Sequence, residues 1–282
     1  MADSKTAGEI LETVVEDGRK ELDRANAGLA FSGFAAGLNI SFGAVAMASV
    51  GAITGGIGLA AMLVYPIGFL IVIIGRAQLF TENTVTPVVV ILSNRSRLMN
   101  MLRLWAVILV FNLLGAVAFA AVSYYAKILD PAALDLIFAQ VSEKIDYTFT
   151  AIAIKGIFGG WIVALIAWMV AASRDTISQV FFVYGLAFLI PAAGLPHCVA
   201  GSSEVLLGVF AGKFTWMEFG WDFLLPTTIG NIVGGVFLVT ILNYGQVVGS
   251  KKKPTLKKKN NKYYSRRETP RARMQSEMCD KD

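Results

Sequence analysis

Gly75-Arg-Ala-Gln-Leu-Phe-Thr-Glu-Asn-Thr84 and Pro191-Ala-Ala-Gly-Leu-Pro-His-Cys-Val-Ala-Gly-Ser-Ser-Glu204 interrupt two otherwise apolar runs of this 282-residue chain. Gly and Pro stop a helix and free backbone N–H and C=O groups that hydrocarbon cannot satisfy, so such backbone survives at membrane depth only inside protein or beside a water-filled cavity. The same two stretches hold nearly every polar side chain of the apolar interior: Arg76, Gln78, Thr81, Glu82, Asn83, His197 and Glu204. Ionisable groups are costly there and mark solute or proton routes. The two breaks therefore point to transport.

Around the breaks the chain reads as membrane protein. Hydrophobic residues make up 55% and charged residues 16%, against about a quarter charged in a soluble domain. Windows of about 20 apolar residues, enough to cross about 30 Å of hydrocarbon, lie near 28–50, 56–76, 104–126, 150–172, 178–195 and 223–248. Two shorter apolar pieces, near 84–92 and 199–211, follow the second and fifth windows and read as second halves of broken helices. The expected fold is all-α, with six transmembrane helices of which the second and fifth are broken.

Positive charge sets the orientation, since Lys and Arg in short loops stay inside. Arg95, Arg97 and Arg103 fill one connection, Arg174 another, and Lys5, Arg19, Lys20, Arg24 and the tail flank the outermost spans. The alternate connections are poor in base: 51–55 has none, 127–149 sets Lys127 and Lys144 against four acids, and 212–222 has Lys213 alone. Both termini are placed in the cytoplasm, under a bacterial-type inner membrane. Residues 1–27 form a cytoplasmic amphipathic helix, with Ile10, Leu11, Val14, Val15 and Leu22 at helical spacing; it either lies on the membrane face or packs on the protein. Residues 28–248 form the membrane domain. Residues 249–282 form a basic, disordered tail beginning KKKPTLKKK, which beside a last span suits anionic lipid and not nucleic acid. No basic n-region with an apolar h-region opens the chain, so no cleaved signal is expected. Cys198 and Cys279 imply no disulfide framework.

The chain also matches itself. Gly33-Phe-Ala-Ala-Gly37 resembles Gly156-Ile-Phe-Gly-Gly160, and Asn112-Leu-Leu-Gly115 resembles Asn231-Ile-Val-Gly234, at offsets of 123 (156 − 33) and 119 (231 − 112). An odd number of spans separates the matches, so the halves are two three-helix repeats inverted in the membrane, a transporter and channel architecture. The Gly pairs also serve close helix packing.

His197 is the sole histidine. Imidazole exchanges its proton near neutral pH, which suits exchange with a weak acid, and Thr81 in the partner break can orient the ring. One His and one adjacent Cys are too few for closed zinc coordination, so no metal and no cofactor is expected. Arg76 and Glu82 are expected to neutralise each other; alternatively Glu82 faces the pathway and sets its charge preference. A pore for a neutral or cationic solute is the rival transport reading. An intramembrane enzyme using His197 with Cys198 or Ser202 finds no supporting acid or nucleophile motif, and a non-enzyme is expected.

Over residues 25–248 the chain resembles the formate/nitrite transporter family, in its YfdC-like branch. The resemblance rests on Leu79-Phe80-Thr81, Gly194-Leu-Pro-His197, Lys144-Ile-Asp-Tyr-Thr-Phe149 and Gly230-Asn231. It implies an aquaporin-like, six-helix protomer with its own pore, assembled as a homopentamer, carrying small monovalent anions of weak acids with proton coupling. By resemblance His197 is the central histidine, Thr81 the loop threonine and Lys144 the outer-vestibule lysine. Leu79, Phe80, Phe69 and Ala200 would line an inner constriction, and Tyr65 with Ile190 an outer one. Gly160 and Gly201 stand where the family often has Asn, Pro196 replaces a frequent acid, and Glu82 replaces a usual neutral residue.

Overall fold

The computed structural model describes residues 4–250, all of whose regular structure is helical. The tail expected over 249–282 lies outside the described residues apart from Gly249 and Ser250. Helix α1 (Ala7–Asp23) opens on a capping box. Thr6 Oγ1 accepts the Glu9 N–H at 3.3 Å and the Glu9 carboxylate accepts the Thr6 N–H at 2.7 Å, which holds the Glu9 carboxyl below its ordinary range. Leu11, Val14, Gly18 and Leu22 are its buried face, turned on helices that follow. Gly18 runs against the Thr86 carbonyl, where a Cβ would overlap backbone.

Helices α2 (Asn26–Ile40) and α3 (Phe42–Thr54) form one continuous apolar rod that ends at the left-handed Gly55. After α4 (Leu59–Val64) and α5 (Ile67–Ile74) the chain leaves helical geometry, resumes in a 3₁₀ turn at Glu82–Thr84, and continues as α6 (Thr86–Ser93) with Pro87 in its first turn. There follow α7 (Leu98–Tyr125), α8 (Pro131–Ile145), α9 (Phe149–Ala172), α10 (Thr176–Ala192), α11 (Ala200–Phe210), α12 (Leu225–Val233) and α13 (Leu242–Gly249). The wider-wound stretches Glu218–Leu224 and Gly234–Ile241 join the last of these into one long rod.

Asn26–Thr54, Arg95–Tyr125, Phe149–Ala172 and Glu218–Gly249 are long and apolar enough to cross a bilayer. The windows at 56–76 and 178–195 appear as the shorter apolar helices Leu59–Ile74 and Thr176–Ala192. Their lengths are cut by the turns at Gly75 and Ala193, the sites of the two quoted breaks. The connection at 127–149, read above only for its charge, contains α8. Asp130 caps it by accepting the Ala132 N–H at 2.9 Å, Pro131 starts it, and Ala133, Ile137 and Val141 bury one stripe at a spacing of four.

Two helix pairs carry the packing, α2 on α7 and α9 on α12. In the first, Gly37 meets the Asn112 backbone and Gly115 meets the Phe34 carbonyl; in the second, Gly160 meets the Asn231 backbone and Gly234 meets the Ile157 carbonyl. A Cβ at any of the four would collide with main chain, so these glycines let the helices cross at backbone contact. The Gly repeats of the sequence are thus one joint used twice.

Candidate functional site

The first break starts where α5 ends. The Arg76 N–H donates to the Ile73 carbonyl at 3.2 Å and the Ala77 N–H to the Val72 carbonyl at 3.0 Å. Arg76 itself has φ 59. This is a Schellman turn, whose left-handed residue is usually glycine. The second break repeats it after α10: Gly194 donates to Pro191 at 3.2 Å, Leu195 donates to Ile190 at 2.9 Å, and Gly194 has φ 60.

Beyond each turn one asparagine collects the freed backbone. Asn112 Oδ1 accepts the Phe80 N–H at 2.8 Å, and its Nδ2 donates to the carbonyls of Gly33 and Gln78 at 2.8 and 2.9 Å. Asn231 Oδ1 accepts the Cys198 N–H at 2.9 Å, and its Nδ2 donates to the carbonyls of Gly156 and Pro196 at 2.7 and 3.2 Å. Both side chains are fully buried. The backbone accepts and donates in an apolar surrounding only because these amides offer both functions in one plane. Sequence reading matched the two asparagines without assigning them this work.

The breaks deliver Thr81 and His197 to one point, with Thr81 Oγ1 2.7 Å from His197 Nε2. His197 Nδ1 accepts the Ala200 N–H at 3.0 Å. A neutral ring that accepts at Nδ1 carries its proton at Nε2, so His197 donates to Thr81. The Thr84 hydroxyl donates to the Thr81 carbonyl at 2.7 Å, fixing the turn that holds the acceptor. Phe69 stands edge-on to the imidazole, 5.4 Å between centroids, and Tyr65 lies 6.0 Å beyond Phe69. Leu79, Phe80, Phe69, Tyr65, Ile190 and Ala200 are all 4% exposed or less, so none faces the outside of the protomer. Phe80 packs against Trp105 at 5.7 Å.

Lys144 has a partner that sequence reading missed. At the end of α8 its Nζ lies 2.5 Å from Glu204 Oε2 on α11, with the Glu204 side chain 4% and the Lys144 side chain 20% exposed. The available signal was Glu204 itself, one acid in an apolar helix, which demands a cation. The pairing expected of Arg76 with Glu82 does not form: among the described residues no ion pair joins them. Arg76 sits exposed at the left-handed turn, and the non-helical residues 77–79 separate it from Glu82, which opens the 3₁₀ turn half-buried. Both line a cavity of about 260 Å³ together with Asp17, Lys20, Glu21 and Asn83. The glycines standing for family asparagines are packing positions here. A Cβ at Gly201 would strike the Phe223 ring, and one at Gly160 the Asn231 backbone.

The family model for formate/nitrite transporters matches residues 8–245. The chain is 33% identical to the inner membrane protein YfdC of Escherichia coli (strain K12), covering 84% of this chain and 78% of that one. It is 30% identical to a probable formate transporter of Methanothermobacter thermautotrophicus, covering 74% and 85%. A solved structure, a pentameric formate channel with formate bound, superposes with a TM-score of 0.66 at 18% identity over 79% of this chain and 98% of that one. Matched along nearly its whole length, the chain belongs to the formate/nitrite transporter family, whose members are membrane channels and transporters and not enzymes.

Proposed function

We propose that this protein passes small monovalent anions of weak acids, formate- or nitrite-like, across a cell inner membrane together with a proton. The observation that carries the reading is the bond between Thr81 and His197, fully buried, made by two helix breaks and set edge-on to the Phe69 ring. A bare anion entering a dry medium of ε about 4 meets a Born cost of order 20 kcal/mol. Neutralisation is the cheaper route. Lys144, bridged to Glu204, draws the anion to the outer mouth, loss of water favours the protonated acid, and the neutral acid passes Tyr65 and Ile190, then Leu79, Phe80, Phe69 and Ala200. His197, donating to Thr81, supplies or stabilises the proton between them.

The supporting architecture is part of the same proposal. The four long apolar rods, the two shorter helices that end in breaks, and the repeated asparagine bonds support six spans in two inverted halves. The loop charges support cytoplasmic termini, with 1–27 as an amphipathic helix, 28–248 as the membrane domain and 249–282 as a tail against lipid. The pentameric relative supports a homopentamer with one pore per protomer.

The test is flux into proteoliposomes of formate, nitrite and lactate against ammonium and glycerol, across pH 5 to 8. Weak-acid flux that rises as pH falls, and is lost in His197→Phe with the assembly intact, is the expected result. Ammonium or glycerol flux without acid flux would establish instead a cation or neutral-solute pore set by Glu82.

A further inference from the structure

The cavity between α1 and the first break holds groups that the Thr81–His197 pair leaves unused. Glu82 is half-buried, and its carboxylate makes no hydrogen bond or ion pair among the described residues. Asn83, 3% exposed, has an Oδ1 without any partner. Its Nδ2 donates to Gln78 Oε1 at 2.8 Å and to the Leu79 carbonyl at 2.9 Å. Because that carbonyl can only accept, the amide cannot be turned over, and a buried acceptor stays unfilled on a residue that lines the cavity. Arg76 is the third such group. Its guanidinium makes no hydrogen bond or ion pair among the described residues, and it holds a left-handed φ of 59 where its counterpart in the other break is Gly194.

The other charges around this space are already committed. Lys20 pairs with Glu16 and Asp17 at 2.8 and 3.8 Å, and Glu21 with Arg24 at 3.2 Å. An adjoining cavity of about 150 Å³ shares Asp17, Arg76, Glu82 and Thr86 and reaches Lys5. The Lys5 amine is bound to the Ala171 carbonyl at 2.6 Å. One base, one acid and one neutral acceptor are left without a side-chain hydrogen bond or ion pair among the described residues. That set fits neither a bare cation nor a bare anion. It fits a molecule that offers a proton and, having lost it, becomes an anion.

Resting on the weak-acid reading above, we infer that this cavity is a hand-over site for a small carboxylic acid, where Glu82 takes the proton and Arg76 holds the carboxylate. The acid arrives past Leu79 and Phe80 with its O–H donated to Asn83 Oδ1. The substrate O–H bond then breaks, its electron pair stays on the substrate oxygen, and an O–H bond forms on the Glu82 carboxylate. The carboxylate turns to the planar guanidinium of Arg76, whose paired N–H groups match its two oxygens. Glu82 returns the proton to water, and movement that starts from the α1 side runs the same steps in reverse. Glu82 is then a proton carrier and Arg76 an anion holder.

The experiment uses the full-length protein reconstituted in vesicles in known orientation, with pH clamped separately on each side and formate as probe. Glu82→Gln is expected to lower flux by about a hundredfold, the low end for a positioned proton acceptor, and to flatten its dependence on pH at the α1 side. The dependence on pH at the far side should persist. Glu82→Asp should keep a displaced α1-side dependence, and Arg76→Gln should raise KM for formate presented from that side. A Glu82→Gln protein with the wild-type rate and α1-side pH profile overturns the inference, as does an unchanged KM in Arg76→Gln. If Glu82→Gln does not assemble, Glu82→Asp decides, a displaced profile supporting the hand-over and an unchanged one removing it. Wild-type vesicles that move no weak acid at all would remove the transport reading and this one with it.

Discussion

The turn at Arg76 and the turn at Gly194 are the same backbone object, yet the chemistry hung on them differs. Both are Schellman turns with φ near 60, and both are followed by an asparagine that binds one N–H and two carbonyls. The first break then presents Arg76 and Glu82 to a cavity beside α1. The second buries His197 and, through α11, ties Glu204 to Lys144. The chain keeps one way of stopping a helix in an apolar surrounding and varies what the stop exposes. Scaffold and function can therefore be broken separately.

The largest effect is expected at the asparagines. Asn231→Ala leaves the Cys198 N–H and the Pro196 carbonyl without partners in a buried turn, and Asn112→Ala does the same to Phe80 and Gln78. An orphaned buried polar group costs about 1–3 kcal/mol, so each substitution should destabilise by about 3 kcal/mol or more. Thermal unfolding in mild detergent should show similar losses for the two. A clearly unequal pair would mean that the matching hydrogen bonds are not matching supports.

Next comes the ion pair that only the second half owns. Removing one member of a buried pair costs about 3–5 kcal/mol, while replacing both with apolar groups is often neutral. With Lys144 partly exposed, Glu204→Gln should fall at the low end, about 3 kcal/mol, and adding Lys144→Met should recover much of it. If Glu204→Gln is as stable as the wild type, the contact is loose and Lys144 is free to serve as the anion attractor by itself.

Much of this was legible because membrane depth leaves few ways to place a polar residue. The Gly and Pro of the breaks, the repeat of Gly33 with Gly156 and of Asn112 with Asn231, and the conjunction of Thr81 with His197 all stand out against apolar neighbours. What stayed hidden depends on distance across the fold. Glu204 and Lys144 lie 60 residues apart on different helices, and nothing local announces their meeting. Arg76 and Glu82, six residues apart within one break, looked like partners, yet the path of the non-helical residues 77–79 leaves them unpaired. Helix α8 escaped because its connection was weighed for charge, although Asp130, Pro131 and the Ala133, Ile137, Val141 stripe carried the signal.

The smallest effect is the sharpest on the comparison, because only one of the two breaks should separate stability from transport. A left-handed conformation costs a residue with a Cβ about 1–2 kcal/mol, and glycine avoids this at an entropic cost of about 0.5–1 kcal/mol in the unfolded chain. A basic side chain at a helix C-terminus gains about 0.3–1 kcal/mol from the dipole, which Arg76→Gly forfeits. The balance is a protein within about 1 kcal/mol of the wild type in either direction. Gly194→Ala forces a Cβ into the same geometry with no charge to compensate, and after the unfolded-chain entropy it recovers should cost up to about 1.5 kcal/mol. Open space surrounds Gly194, so the loss would report backbone strain and not a clash. Arg76→Gly should at the same time lose formate flux, separating stability from transport at one residue. If instead Arg76→Gly destabilises by clearly more than about 1 kcal/mol and leaves flux intact, Arg76 is a helix cap and the two breaks differ less than their side chains suggest.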